Sequence, residues 1–125
     1  MEGLPDEALA QVAAYFQALA EPSRLQLLNL LRQHERSVGE LAQLCGFSAA
    51  NVSRHLALLT RHGLIARESR GNSAYYRIAD PAVYQLCDLV CGSLARQHEQ
   101  VLRQRALFTA PAPARRRRPV RGADL

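Results

Sequence analysis

The chain has 125 residues, 48% of them hydrophobic, which suits one domain with a modest core. No apolar run approaches the roughly 18 residues that a membrane span needs, and no secretory signal opens the chain, so we expect a cytoplasmic protein without a membrane partner. Three cysteines are too few and too scattered for a secreted disulfide scaffold, which leaves them as packing residues or as sensors.

The net charge of +5 is distributed unevenly along the chain. Residues 1–47 carry a net −3 and residues 79–108 are neutral, whereas residues 48–78 and 109–125 each carry +4. Positive charge gathered in one segment of a fold and in one tail is typical of proteins that bind nucleic acid. The competing interpretation is that these arginines form an ordinary solvated surface.

Hydrophobic periodicity predicts two helices at the start of the chain. Apolar residues recur at the spacing i, i+3, i+4, i+7 from about Pro5 to Ala20, at Leu9, Val12, Ala13, Phe16 and Leu19. Pro22 suits the first turn of a second helix, which continues through SRLQLLNLLRQH. Because this run has leucine on nearly every face, we expect it to form the buried centre.

A tight turn joins the next two predicted helices. The third helix starts at Ser37, where SVGE matches a capping box, and it stops at Gly46. Gly46-Phe47-Ser48 leads directly into a fourth helix. One face of that helix is apolar and the opposite face is small or basic, with Val52, Leu56 and Leu59 on the first and Ala50, Arg54 and Arg61 on the second.

Two short strands and a long helix complete the predicted fold. LIARE and SAYYRI are typical of strands, and RGN between them favours a hairpin turn. Asp80-Pro81 caps a last helix that runs to about Leu107. The sequence predicts a domain of residues 1–108, followed over residues 109–125 by a disordered arginine-rich tail whose apolar content is too low for folding.

This order of elements predicts a mainly α fold with a small β-hairpin wing, the winged helix-turn-helix. The second helix of the pair enters the major groove of DNA in such folds, and the wing approaches an adjacent groove or the backbone. The candidate DNA-binding residues are Ser48, Ala49, Ala50, Asn51, Ser53, Arg54 and His55 in the helix, and Arg67, Arg70 and Asn72 in the wing.

The first and last helices each carry an apolar stripe that needs a partner. In the last helix the stripe consists of Val83, Leu86, Cys87, Val90 and Leu94. Two winged helices placed about one DNA turn apart read a palindrome in double-stranded DNA, so we expect a homodimer on a palindromic operator. Pairing of the two helices within one chain is the alternative.

Three segments resemble the ArsR/SmtB family of transcriptional repressors. They are LAEPSRLQLLNLL, SVGELAQLCGFSAANVSRHLALLTRHGLI and RESRGNSAYYRI, which lie between Leu19 and Ile78. The resemblance implies a bacterial homodimeric repressor that dimerises through its first and last helices. It also implies that binding of a metal, a metalloid or an oxidant releases the protein from its operator.

The inducer sites of this family do not carry over residue by residue. Arsenic and cadmium sensors hold several cysteines in the third helix, where this chain has only Cys45. For the zinc and nickel sites, Asp80 matches the first ligand, but Ala82, Ser93 and Arg96 occupy the other positions. Persulfide and oxidant sensors require a cysteine in the second helix, which has none here.

The remaining candidate for an inducer site is CDLVC in the last helix. Cys87 and Cys91 are four residues apart and therefore face the same way. With a third thiolate from Cys45 or from a second copy of the chain, they would suit a soft ion such as arsenite or cadmium. Oxidation across the dimer is an alternative chemistry, and packing as small hydrophobic residues is the competing interpretation for all three thiols.

The sequence leaves two functions open within DNA binding. One is a repressor released by a thiol-reactive inducer, and the other is a regulator without a small-molecule inducer, whose cysteines only pack. An enzyme is disfavoured because no cysteine lies near a candidate base in the sequence and no glycine-rich phosphate loop is present. The positive charge of residues 48–78 disfavours a protein-docking module.

Overall fold

The computed structural model describes residues 1–109, so the predicted arginine-rich tail lies outside the described residues except for Thr109. Within that range the elements are α1 (Asp6–Leu19), α2 (Pro22–Leu31), β1 (Arg36–Ser37), α3 (Val38–Cys45), α4 (Ala49–Arg61), β2 (Ile65–Arg70), β3 (Ser73–Ile78) and α5 (Ala82–Phe108). The mainly α fold with a small wing is confirmed. The chain divides into two compact units, Met1–Val83 and the part from Tyr84 onward.

The wing contains one more strand than the predicted hairpin. In the described part of the chain, β2 and β3 pair antiparallel as expected, and β1 adds to the other edge of β3 to give the order β1-β3-β2. Arg36 is opposite Tyr76 and Ser37 is opposite Tyr75. Both predicted strands are therefore present, and the third strand was not predicted because a strand of two residues is too short to produce an alternating pattern.

The core of the first unit is assembled around α2 and α4. Its buried side chains are Ala18, Leu19, Leu27, Leu28, Leu31, Leu41, Val52, Leu56, Leu59, Leu64, Ile65, Tyr76 and Val83. Three of these leucines come from α2, which confirms its central position. Leu25 lies on another face of the same helix and is 41% exposed, so α2 is not buried on every side.

The capping box predicted at the start of α3 is present. The Ser37 hydroxyl accepts a hydrogen bond from the Glu40 N–H (3.2 Å), and the Glu40 carboxylate accepts one from the Ser37 N–H (2.9 Å). The bond from the Ser37 N–H holds the pKa of Glu40 below its usual range. At the other end Gly46 has φ 74°, a left-handed conformation that ends the helix and turns the chain towards α4.

α5 is a 27-residue helix whose single buried residue, Val83, lies in the first turn. The Asp80 carboxylate accepts a hydrogen bond from the Ala82 N–H (3.0 Å), which confirms the predicted cap. From Tyr84 onward the helix exposes large apolar side chains, namely Leu89, Val90, Leu94, Val101, Leu102, Leu107 and Phe108. No helix among residues 1–109 has both the length and the apolar content needed to cross a membrane.

α1 also exposes apolar side chains in the single chain. Leu9 is 39% exposed and Phe16 is 47% exposed, although both belong to the predicted apolar stripe. Only Ala18 and Leu19, at the end of the helix, are buried. Much of the apolar surface of this helix is therefore available to a further partner.

We expect Gly46→Ala to lower the free energy of unfolding by about 1–2 kcal/mol, because a Cβ penalises the left-handed conformation at this position. The matched control is Gly39→Ala inside α3, where the added Cβ meets only the Ser37 Oγ at 3.9 Å. That change should raise the free energy of unfolding by about 0.5–1 kcal/mol. Urea unfolding followed by circular dichroism measures both, and effects of the same sign would contradict the prediction.

Candidate nucleic-acid interface

The turn between α3 and α4 is closed by backbone and side-chain hydrogen bonds. The N–H groups of Gly46 and Phe47 both donate to the carbonyl oxygen of Ala42, at 2.9 and 3.2 Å. The Ser48 hydroxyl then accepts a hydrogen bond from the Asn51 N–H (3.1 Å) and caps α4. Ser48 thus has a structural role in addition to its predicted place in the DNA-binding surface.

α4 presents two chemically distinct faces. Val52, Leu56 and Leu59 are completely buried, so the helix is fixed to the body of the unit by its apolar side. The polar side remains exposed to solvent, with Ala49, Ala50, Ser53, Arg54 and Arg61 among its exposed residues. The predicted amphipathic pattern is therefore confirmed, and the face that the sequence predicts to read DNA is accessible.

Arg54 and Asn51 are paired on the exposed side of α4. A terminal nitrogen of the Arg54 guanidinium, Nη2, donates a hydrogen bond to the Asn51 Oδ1. Both residues line a shallow depression together with Ser48 and Ala50. Because guanidinium carries five N–H donors and this bond uses one, at least one two-donor edge of Arg54 remains available to a guanine or a phosphate.

His55 differs from the other predicted DNA-binding residues of α4 because its side chain is only 14% exposed. Its Nδ1 lies 3.4 Å from the Arg24 Nη1, and its Nε2 lies 3.7 Å from the Glu21 Oε2. The structure therefore places His55 in a polar contact with the start of α2, apart from the outward Asn51 and Arg54.

Arg70 in the wing is largely neutralised by neighbouring carboxylates. Its guanidinium donates to both oxygens of Glu35, at 2.5 and 2.8 Å, and to Glu68 at 2.8 Å, and it lies over the Tyr75 ring. The hydrogen bond from Arg70 lowers the pKa of Glu35, and Glu35 and Glu68 raise the pKa of Arg70. Arg77 also lies within 4.0 Å of Glu68. Positive charge on this face of the hairpin is thus locally compensated.

Arg67 lies on the opposite face of the hairpin, since cross-strand pairing places it beside Tyr76, whereas Glu68 is beside Tyr75. It is exposed, and its guanidinium donates to the Ser69 hydroxyl at 3.3 Å. Among the described residues no carboxylate forms an ion pair with Arg67. Asn72 is exposed in the turn between β2 and β3. Arg67 is therefore the wing arginine with the most available charge.

Two arginines have a role that the sequence interpretation missed. The Arg24 Nε and Nη2 donate to the carbonyl oxygens of Ala18 (2.6 Å) and Gln17 (3.0 Å) at the end of α1. The Arg36 Nε donates to the Leu30 carbonyl oxygen (3.1 Å) near the end of α2. Each cation donates to carbonyl oxygens near a helix end, where the negative end of the helix dipole favours positive charge, although the Gln17 carbonyl also accepts the Ala20 N–H.

The three cysteines are not joined by disulfide bonds. Cys45 is half-buried, and burial raises the pKa of its thiol, which lowers its thiolate fraction and its reactivity. In α5, Cys87 is half-buried and Cys91 is exposed. Within residues 1–109 there is no group of three or more Cys, His, Asp or Glu side chains that could hold a metal ion. The use of Cys45, Cys87 and Cys91 as an inducer site therefore stays a prediction.

Comparison with known proteins decides the family. The sequence profile described as "Bacterial regulatory protein, arsR family" matches residues 21–67, from the cap of α2 into the wing. The HTH-type transcriptional regulator Rv0081 of Mycobacterium tuberculosis is 39% identical over 85 residues, which are 67% of this chain and 75% of that relative. The chain belongs to the ArsR/SmtB family. As a member of this family it is a DNA-binding transcriptional regulator and not an enzyme.

Solved structures support the fold of this ArsR/SmtB protein. The crystal structure of Rv0081 aligns with a TM-score of 0.69 at 35% identity and covers 80% of this chain and 99% of its own. A homodimeric winged helix-turn-helix DNA-binding domain from Mycobacterium bovis, solved by NMR, aligns with a TM-score of 0.65 at 38% identity and covers 80% and 94%. A probable mercury resistance operon repressor of Streptomyces lividans is 36% identical over 74 residues, 59% of each chain.

The two wing arginines should differ in their effect on the salt dependence of DNA binding. If Arg67 contacts a phosphate, Arg67→Ala should reduce the slope of log K against log salt concentration by about 1. Arg70→Ala should leave this slope unchanged, because Glu35 and Glu68 already compensate the Arg70 charge. Fluorescence anisotropy on one DNA duplex at several salt concentrations measures both variants. A larger change for Arg70→Ala would contradict this assignment of charges.

Proposed function

We propose that this ArsR/SmtB protein is a transcriptional repressor that binds a palindromic operator as a homodimer and is released by a thiol-reactive inducer. The observation that carries the DNA-binding part is the exposed polar face of α4, held outward by the complete burial of Val52, Leu56 and Leu59. A folded helix anchored on one side only is the element that the major groove admits.

The proposed DNA surface combines base reading with backbone contacts. Asn51, Ser53 and Arg54 supply hydrogen-bonding groups on α4, while Ala49 and Ala50 are small enough for close approach and for contact with thymine methyl groups. Ser48 contributes at the amino end of the helix, where partial positive charge favours phosphate. In the wing, Arg67 and Asn72 are the proposed contacts. The charge of Arg70 is largely neutralised by Glu35 and Glu68.

The proposed homodimer rests on the exposed apolar side chains of α1 and α5. Leu9 and Phe16 on α1, and Val90 and Leu94 on α5, are each more than a third exposed in the single chain. Covering such residues with a second copy removes apolar area from water, at about 25 cal/mol per Å². The homodimeric state of the Mycobacterium bovis relative also supports the proposal of a homodimer.

The proposed inducer acts on Cys87 and Cys91. The exposed Cys91 thiol is accessible to a soft ion or an oxidant, and Cys87 lies one helical turn before it. Arsenite or cadmium suits paired thiolates, and one relative is named a probable mercury resistance operon repressor, mercury being another soft metal. The second candidate is a regulator without an inducer, whose cysteines only pack, and the half-buried positions of Cys45 and Cys87 favour it.

Arg54→Ala should weaken binding to the operator by about 1–3 kcal/mol if Arg54 reads a base. The operator is first located by footprinting on DNA upstream of the gene, and affinity is then measured at one fixed salt concentration. Arg103→Ala in α5 removes the same charge from an exposed position outside α4 and the wing and should leave affinity nearly unchanged. Equal affinities of the wild type and Arg54→Ala would show that Arg54 does not read a base.

Arsenite, cadmium or a mild oxidant should weaken operator binding of the reduced wild type by roughly 5–150-fold, the usual range of coupling between two sites. The double variant Cys87→Ser/Cys91→Ser should bind the operator like the wild type and respond to none of these agents. Cys45→Ser tests whether the half-buried thiol is a further ligand, because its loss would then weaken the metal response alone. Identical operator affinity of the wild type under all conditions would exclude a thiol-reactive inducer.

A further inference from the structure

Arg24 connects three helices through one guanidinium group. It lies on α2, its Nε and Nη2 donate to the Ala18 and Gln17 carbonyl oxygens of α1, and its Nη1 lies 3.4 Å from the His55 Nδ1 of α4. The two partners on α1 are backbone atoms and therefore move only with that helix. A planar guanidinium held by two such bonds has a defined orientation, which fixes where its third nitrogen meets α4.

The contact defines which nitrogen of His55 carries the proton. Arginine can only donate hydrogen bonds, so a bond between Arg24 and the His55 Nδ1 requires a lone pair on Nδ1. The neutral imidazole then carries its proton on Nε2, which lies 3.7 Å from the Glu21 Oε2. Glu21 in turn accepts the backbone N–H of Arg24 at 3.2 Å. These three residues form the Glu21–Arg24–His55 link.

The link provides a directional constraint that the apolar face of α4 lacks. Val52, Leu56 and Leu59 are buried, but hydrophobic contact is non-directional and does not by itself fix the rotation of a helix about its axis. Among the described residues, no other side chain of α4 forms a hydrogen bond with another helix. A rotation of about 10° displaces atoms at the surface of a helix, roughly 5–6 Å from its axis, by about 1 Å.

We propose that Arg24 and His55 are positioning residues that tie the recognition helix α4 to the end of α1 and thereby place Asn51 and Arg54 on the bases. The inference rests on the proposed function in that α4 reads the operator. His55 immediately follows Arg54 in the chain, so a constraint on the His55 ring acts directly on the reading residues. Its expected signature is loss of operator selectivity without loss of a phosphate contact.

Two amide substitutions of His55 test the contacts of its two ring nitrogens separately. Asparagine can place its amide oxygen near the position of Nδ1 and keep an acceptor for Arg24, whereas glutamine places its amide nitrogen near Nε2 as a donor towards Glu21 and carries its amide oxygen one carbon further out than Nδ1. His55→Asn should retain the ratio of operator to random-DNA affinity within about threefold. His55→Gln should lower that ratio by roughly 3–30-fold, as expected when a residue that couples structural elements is changed.

Arg36 offers a matched control for the capping role of Arg24. Both arginines donate to carbonyl oxygens near a helix end, but the side-chain hydrogen bonds of Arg36 go to Leu30 and Gln33 and not to α4. Arg24→Ala and Arg36→Ala should both lower the midpoint of urea unfolding. Only Arg24→Ala should also lower the operator selectivity measured under conditions where each protein is fully folded.

The experiment measures full-chain affinities for operator and random duplexes over a salt series, together with urea unfolding. The link is supported if His55→Gln and Arg24→Ala lose selectivity with an unchanged salt slope, while His55→Asn and Arg36→Ala retain it. It is overturned if both His55 variants behave alike, if Arg36→Ala loses as much selectivity, or if the slope falls by about 1, which would indicate a phosphate contact. A wild type without operator preference would instead overturn the proposed function.

Discussion

Burial of the apolar face of α4 is the interaction on which the rest of the structure depends. Val52, Leu56 and Leu59 are completely removed from solvent, and each such side chain contributes about 1.5–3 kcal/mol relative to exposure. This burial directs the polar side of the same helix outward without requiring any specific polar contact there. The outward residues are thereby left available for DNA, and the helix needs only a directional contact, such as the one between His55 and Arg24, to define its rotation.

Net charge overstates how much positive potential this fold offers to DNA. Arg70 belongs to the basic segment but is held by Glu35 and Glu68, so the wing contributes less charge than its arginines suggest. Arg24 belongs to the acidic first segment, and its guanidinium donates hydrogen bonds to carbonyl oxygens at the end of α1. Segment charges therefore predict where the binding region lies, whereas the assignment of individual arginines requires knowledge of their partners.

The sequence was sufficient for elements whose signals are local. The capping box at Ser37, the stop at Gly46 and the periodic burial of α4 depend on residues within a few positions of one another, and all were predicted. The strand β1 and the inward orientation of His55 were not, because both depend on partners 31 or more residues away in the chain. A period of 3.6 residues also leaves His55 at the border between the two faces, where pattern alone does not assign its direction.

Helix α5 carries both exposed apolar side chains and the candidate inducer cysteines. Cys91 is exposed on α5 near Val90 and Leu94, which are themselves exposed and suited to cover by a second copy. A soft metal ion bound by three thiolates would need a ligand beyond Cys87 and Cys91, which Cys45 or a second copy of the chain would have to supply. An oxidant, in contrast, would need only the exposed thiol and a partner thiol.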